Sequence, residues 1–243
     1  MKRLKNIAIA SSLLLSTVLI SFPASAQSDE EWQVSGALNL WGAGIKGSLI
    51  NGTKIDVGFS DTLENLDLTF MGTLEARKSK WSMVGDLIYL GVSQDTGATL
   101  PSGAGVDAEV TGLVLNLIGG HNLLDTEDGR IDVIFGARHI DLETKIKAVG
   151  PGAIGTRDGD AWDAIIGIRG QRFIDEKWYL PYHFDVGAGD SDSTWQALVG
   201  VGYRYNWGDV TFAYRRVEWE FDASAPIQDM AFSGPGVQFK WHF

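Results

Sequence analysis

The chain has no cysteine in its 243 residues, which excludes a disulfide framework. Basic side chains are scarce, twenty against thirty-one acidic ones for a net charge of −11. Three of the twenty, Lys2, Arg3 and Lys5, crowd the amino terminus, so the rest of the chain is more acidic still and nucleic acid is excluded as a partner. Six prolines against thirty glycines argue against a disordered linker. Beyond Ala26 there is no apolar run long enough to form a membrane-spanning helix. If the chain meets a membrane, it must do so with strands.

What is present begins with a leader. Lys2, Arg3 and Lys5 precede an apolar run from Ile7 to Ile20, and Ala24-Ser25-Ala26 places small residues at a cleavage position. Residues 1–26 therefore read as a secretory signal peptide, and 27–243 as one domain. From Trp32 onward, segments of period 2 recur between turn residues, and ten strands are expected at 33–45, 67–76, 81–93, 108–121, 130–144, 160–173, 178–188, 194–206, 209–222 and 230–243. Eight strands with a longer first loop is the alternative, and "LENLDL" in that loop reads either as loop or as a short helix capping the outer mouth.

The connections alternate long and short. Tight turns such as "RKSK", "IDEK" and "WG" gather at one end, and longer, acidic, Gly-rich loops gather at the other. The expected fold is all-β, a closed antiparallel transmembrane β-barrel with short periplasmic turns and longer extracellular loops. The nine tryptophans fall toward strand ends. Trp32, Trp81, Trp178, Trp207 and Trp241 lie at the short-turn ends, and Trp41, Trp162, Trp195 and Trp219 toward the long-loop ends, as two interfacial belts would require.

Alternation assigns the faces. In "STWQALVGVGYRY" the set Trp195, Ala197, Val199, Val201, Tyr203 and Tyr205 faces lipid, and the alternate positions face the lumen. The same reading turns Glu75, Asp86, Arg138, Asp163, Arg169, His183, Asp185, Arg204 and Arg215 inward. An unpaired charge in a narrow lumen is costly, so these residues are expected to form a salt-bridged network, with inward glycines leaving room for the arginines.

The segment "GVGYRYNWGDVTFAYRRVEWEF", followed by the closing "GPGVQFKWHF", resembles the OmpA/OmpX-like group of small outer-membrane β-barrel proteins. Through "DTLENLDLTFMGTLEARKSKWSMVGDLIYL" and "WDAIIGIRG" the chain is also similar to proteobacterial barrel proteins without an assigned activity. The likeness spans nearly the whole chain after the leader. It departs from the outer membrane protein A pattern in strand number and in lacking a peptidoglycan-binding domain after the barrel. The resemblance implies a Gram-negative outer-membrane location. It also implies that Val237, Phe239, Trp241 and Phe243 form the terminal signal read by the barrel assembly machinery, with periplasmic chaperones as partners during biogenesis. Outer-membrane lipid and lipopolysaccharide are the expected surroundings, and a monomer the expected state.

The sequence nominates no catalytic nucleophile, no metal site and no cofactor. His183 and Asp185 lie two apart on one face, with Ser191 or Ser193 above them, and read more readily as a structural pair than as a base and its orienter. His121 and His242 fall at the short-turn ends, and His139 has no evident serine partner. The loop carboxylates, among them "GDSDST", lack the spacing of a calcium loop and read as a solvated acidic rim. The functions that remain are a structural or surface-interaction barrel, a narrow solute channel and, last, a lipid-modifying hydrolase or protease.

Overall fold

A computed structural model describes residues 31–50, 52, 54–58, 66–99, 105–148, 155–225 and 227–243. The leader and the first half of "LENLDL" lie outside the described residues, whereas its second half, Leu66, Asp67 and Leu68, opens a strand and is neither loop nor helix. Ten antiparallel strands close on themselves: β1 (Gln33–Trp41), β4 (Leu66–Lys78), β5 (Trp81–Thr99), β6 (Gly105–Thr126), β7 (Gly129–Ala148), β8 (Gly155–Phe173), β9 (Trp178–Gly189), β10 (Ser193–Tyr205), β11 (Gly208–Glu220) and β12 (Ile227–His242). Pairing of β1 with β12 seals the wall. A barrel of this kind leaves no edge within its closed part, which is how a strand-built wall satisfies its backbone groups in lipid.

Two further strands, β2 (Gly44–Leu49) and β3 (Lys54–Val57), occupy what the sequence suggests is loop. The expected first strand, 33–45, is interrupted at Gly42-Ala43 and resumes as β2 without a change of register against β12: Trp41 pairs with Gly236, and Gly44 with Ser233. The break has a local cause. Gly42 N donates to Pro235 O at 3.0 Å, but proline has no N–H to return the bond. On its other edge β1 pairs with β4 only from Gln33–Arg77 to Leu38–Gly72, and β2 pairs there with β3 instead.

The wall is uneven in height. Strands β5 to β8 run 19 to 22 residues, whereas β9, β10 and β11 run 12 or 13. A membrane crossing needs about 9–11 tilted residues. The β4–β5 ladder ends at Leu66–Val92 and the β8–β9 ladder at Asp163–Gly189, while the ladders among β5, β6, β7 and β8 continue beyond them. A four-stranded sheet therefore projects past the rim at the long-connection end. The expected loops "QDTGATLPSGAGVD" and "KIKAVGPGAIGTRDG" are thus largely strand, the β6–β7 ladder continuing to Val106–Ala148 and the β7–β8 ladder to Ile146–Gly155.

The alternation itself holds. Leu40, Leu74, Phe135, Ile166, Val199, Phe212 and Tyr214 are exposed on the outer face. Inward glycines serve a purpose other than the expected one. A Cβ on Gly202 would collide with the Tyr179 ring, and one on Gly136 would strike the backbone at Leu117, so these sites admit a ring and a neighbouring strand, not an arginine.

At the β8–β9 turn, Asp175 Oδ1 accepts hydrogen bonds from Lys177 N at 2.8 Å and Trp178 N at 2.7 Å. These backbone donors favour the ionised form and hold the Asp175 carboxyl below its ordinary value. Its stabilising contribution is therefore present at neutral pH and is lost as pH falls through the folded-state value, which lies below about 4. Asp175→Ala is expected to lower the urea midpoint of the purified barrel at pH 7, with the deficit shrinking below about pH 4. A deficit independent of pH would remove the role of these bonds.

Candidate functional site: a closed lumen with an inner vestibule

The lumen is built in tiers. At the long-connection end it is filled by an apolar cluster that includes Ile88, Ile140, Val217, Trp219, Met230 and Phe232. Trp41, Ile45, Phe221 and Ile227 pack against the cluster. The expected polar, salt-bridged lumen is found below this cluster, and the departure from it is confined to the apolar tier. That tier also removes two tryptophans from the outer belt: Trp219 is 0 % exposed, with Phe232 edge-on at 6.1 Å, and Trp41 donates from Nε1 to Gly234 O at 3.0 Å. Both share strand parity with inward residues, Trp219 with Arg215 and Val217, and Trp41 with Ser35 and Ala37. Parity, not height along the strand, decides where a ring points. Trp32, Trp81, Trp162, Trp178 and Trp207 are exposed on the outer face, and Trp195 lies there beneath Arg216, 5.5 Å from its ring.

Below the apolar cluster lies a polar tier centred on Arg138, which is fully buried. Its Nη2 donates to both oxygens of Asp185 at 2.8 Å, its Nε to Asn116 Oδ1 at 2.8 Å and its Nη1 to Thr194 Oγ1 at 3.0 Å. Asn116 Nδ2 in turn donates to Asp86 Oδ2 at 3.1 Å. Arg215 donates to the same Asp86 oxygen at 2.8 Å and to Gln196 Oε1 at 2.7 Å, with its guanidinium 5.3 Å from the centre of the Trp41 ring. The chain of partners from His183 through Asp185, Arg138, Asn116 and Asp86 to Arg215 crosses the lumen. Burying these charges is tolerable only because each has several close partners.

A third tier sits nearer the short turns. Glu75 accepts from Arg77 at 2.9 Å, Arg169 at 2.7 Å and Lys240 at 2.8 Å. Asp132 accepts from Arg77 Nη2 and Asn122 Nδ2, both at 2.8 Å. The sequence reading missed Arg77, Asp132, Asn116 and Thr194. Arg77 follows Glu75 by two, and Asp132 precedes Arg138 by six, so parity could have found both charges.

Two expected members of the network make other contacts. Asp163 accepts from Ser191 N at 3.0 Å and Ser191 Oγ at 2.8 Å, and among the described residues no arginine salt-bridges it. Arg204 lies over the rings of Phe173 and Tyr179, at 4.6 and 5.3 Å. His183 Nε2 meets Asp185 Oδ2 at 2.5 Å, yet neither serine joins them: Ser191 is held by Asp163, and Ser193 Oγ donates to Glu220 at 3.1 Å. His139 stacks on Trp162 at 4.4 Å, and His121 meets Trp81 edge-on at 4.6 Å. His242 approaches Asp209 at 3.4 Å at the short-turn rim.

A cavity of about 640 Å³ occupies the lower lumen. It reaches the short-turn rim at Gln33, Tyr205 and His242, and extends upward to Trp41, Met71 and Arg215. Trp219 and Phe232 do not line it. Among the described residues the lumen thus holds a vestibule that reaches the short-turn rim, with the Arg138 tier and the apolar cluster above it.

No family model matches the chain, and no curated protein sequence matches it. Among solved structures it is similar to the attachment invasion locus protein Ail of Yersinia pestis, at 7 % identity over 87 % of this chain and 99 % of that one, with a TM-score of 0.40. It is similar to the translocator domain of the autotransporter NalP from Neisseria meningitidis, at 14 % identity over 90 % of each chain and a TM-score of 0.48. Neisserial surface protein A matches at 12 % identity over 89 % of this chain and 98 % of that one, with a TM-score of 0.36. All three are outer-membrane β-barrels. The fold of the present chain rests on its own strand pairing.

Proposed function

We propose that the protein is a non-catalytic outer-membrane barrel whose role is structural or surface interaction, exported through a cleaved leader and held as a monomer among outer-membrane lipid and lipopolysaccharide. The observation that carries this reading is the apolar filling of the outer half of the lumen, where Trp219, Phe232 and their neighbours occupy the space above Arg138 among the described residues. A narrow channel needs a polar route along its full length. The projecting four-stranded sheet supports the same reading. Among the described residues β5 beyond Val92 and β8 before Asp163 have no strand partner on their outer edges, and such edges are where an incoming chain pairs. At the opposite end, Val237, Phe239 and Trp241 alternate on the lipid side of β12, which suits recognition of this strand by the assembly machinery and its chaperones.

The test is electrical. Purified protein in a planar bilayer is expected to give no stable unitary openings under applied voltage, at any pH where it remains folded. Reproducible openings of one size would overturn the reading in favour of a passive channel.

A further inference from the structure

The tier nearest the short turns is rich in donors and poor in acceptors. Arg77, Arg169 and Lys240 converge on one carboxylate, Glu75, and the other carboxylate of the tier among the described residues, Asp132, meets Arg77 at 2.8 Å and Arg169 Nε only at 3.6 Å. Arg130 approaches Asp132 only to 4.0 Å and is turned toward Asp125 at the rim, at 2.6 Å. Three guanidinium nitrogens here, Nη1 of Arg77 and the Nε of Arg130 and Arg169, are buried without a hydrogen-bond partner, whereas every carboxylate oxygen of Glu75 and Asp132 has a cation or amide against it. Enclosed donors without acceptors are costly, and an excess of enclosed positive charge more so.

The same side chains line open space. Arg77, Arg130, Arg169 and Lys240 border the vestibule of about 640 Å³. Arg169 and Lys240 also border a smaller chamber of about 160 Å³ behind Glu75. Arg204, which also lines the vestibule, lies over the rings of Phe173 and Tyr179 and faces Asp209 across the β10–β11 ladder. This cationic surface lies inside a chain whose net charge is −11. The contrast matters because a low-dielectric wall focuses the local field on whatever enters.

We infer that the vestibule is a binding site for a small oxyanion of the phosphate or carboxylate class, held chiefly by Arg77, Arg169 and Lys240. Such a ligand brings both missing elements, acceptor oxygens and negative charge, and guanidinium groups match its geometry. The site does not depend on the surface-interaction reading, since it stands on the inner tier alone.

The test uses the full-length mature barrel in a neutral sugar detergent, titrated calorimetrically with inorganic phosphate against chloride at matched ionic strength. Saturable heat with phosphate is expected. Lys240→Gln should weaken it about ten-fold, the usual consequence of losing one charge-assisted bond. Glu75→Gln should tighten it, because a competing carboxylate is removed. If Glu75→Gln does not fold, Asp209→Asn at the mouth carries the same sign. Merely structural side chains would lower stability in these variants without moving the phosphate affinity in opposite directions. A parallel arm adds phosphatidylglycerol to the micelle. An effect sensitive to Lys240→Gln in that arm assigns the oxyanion to a headgroup and supports the site equally. Absence of saturation in both arms, or equal affinity in wild type and Lys240→Gln, overturns the inference.

Discussion

Arg138→Met is expected to destabilise the barrel by about 3–5 kcal/mol, read as a fall in the urea midpoint followed by tryptophan fluorescence or by heat-dependent electrophoretic mobility. Methionine fills much of the volume of the arginine stem, so the loss is electrostatic and not a packing defect. Asp185 is fully buried, and two of its hydrogen bonds come from Arg138. With the guanidinium gone, His183 alone faces a carboxylate that has left water. Asn116 and Thr194 lose a donor at the same time. The double variant Arg138→Met with Asp185→Leu is expected to be more stable than the sum of the single losses implies, since it removes both charges together. Strict additivity of the two changes would show that they do not act as a pair.

Much of this arrangement is legible in the sequence because a strand has only one structural period. Alternation turns Glu75, Asp86, Arg138, Asp163, Arg169, Asp185 and Arg215 inward without any knowledge of their partners, and all of them lie on the lumen side. The partners are another matter. Arg138 and Asp163 face each other in register across β7 and β8, yet Arg138 salt-bridges Asp185 on β9 instead. That choice depends on how long side chains cross a curved lumen, a property of barrel radius and shear that one-dimensional spacing does not contain. The break between β1 and β2 is readable only with the pairing known, because its cause, Pro235, lies at the far end of the chain.

Trp41 and Trp219 show where two sequence signals conflict. Height along the strand assigns each to an interfacial belt, whereas parity assigns each to the interior. Parity prevails because lipid and lumen are separated by the pleat, and a ring cannot cross the wall without breaking the ladder. The consequence is functional: the two rings belong to the tiers that close the barrel, and the outer mouth has fewer anchoring tryptophans than a count of strand ends implies.

Trp219→Ala is accordingly expected to do two things at once. Removing a fully buried indole costs about 3–5 kcal/mol, because its neighbours Phe232 and Val217 are fixed on strands and cannot collapse into the space. The void lies directly over Arg138, whose guanidinium is 5.9 Å from the indole centre. Combined with Phe232→Ala, it should let water descend to the polar tier and join the vestibule below. In planar bilayers the double variant is expected to show unitary openings that the parent lacks, carried by a path whose narrowest point is the Arg138–Asp185 pair. That pair sets a further condition. Its two charges cancel, so the vestibule below, where Arg77, Arg169 and Lys240 meet on Glu75, should decide the preference and favour anions over cations, which reversal potentials under a salt gradient measure directly. Openings of the double variant with cation preference would place the conducting path elsewhere in the wall, and a silent double variant that is folded would show that the polar tier alone is enough to close the lumen.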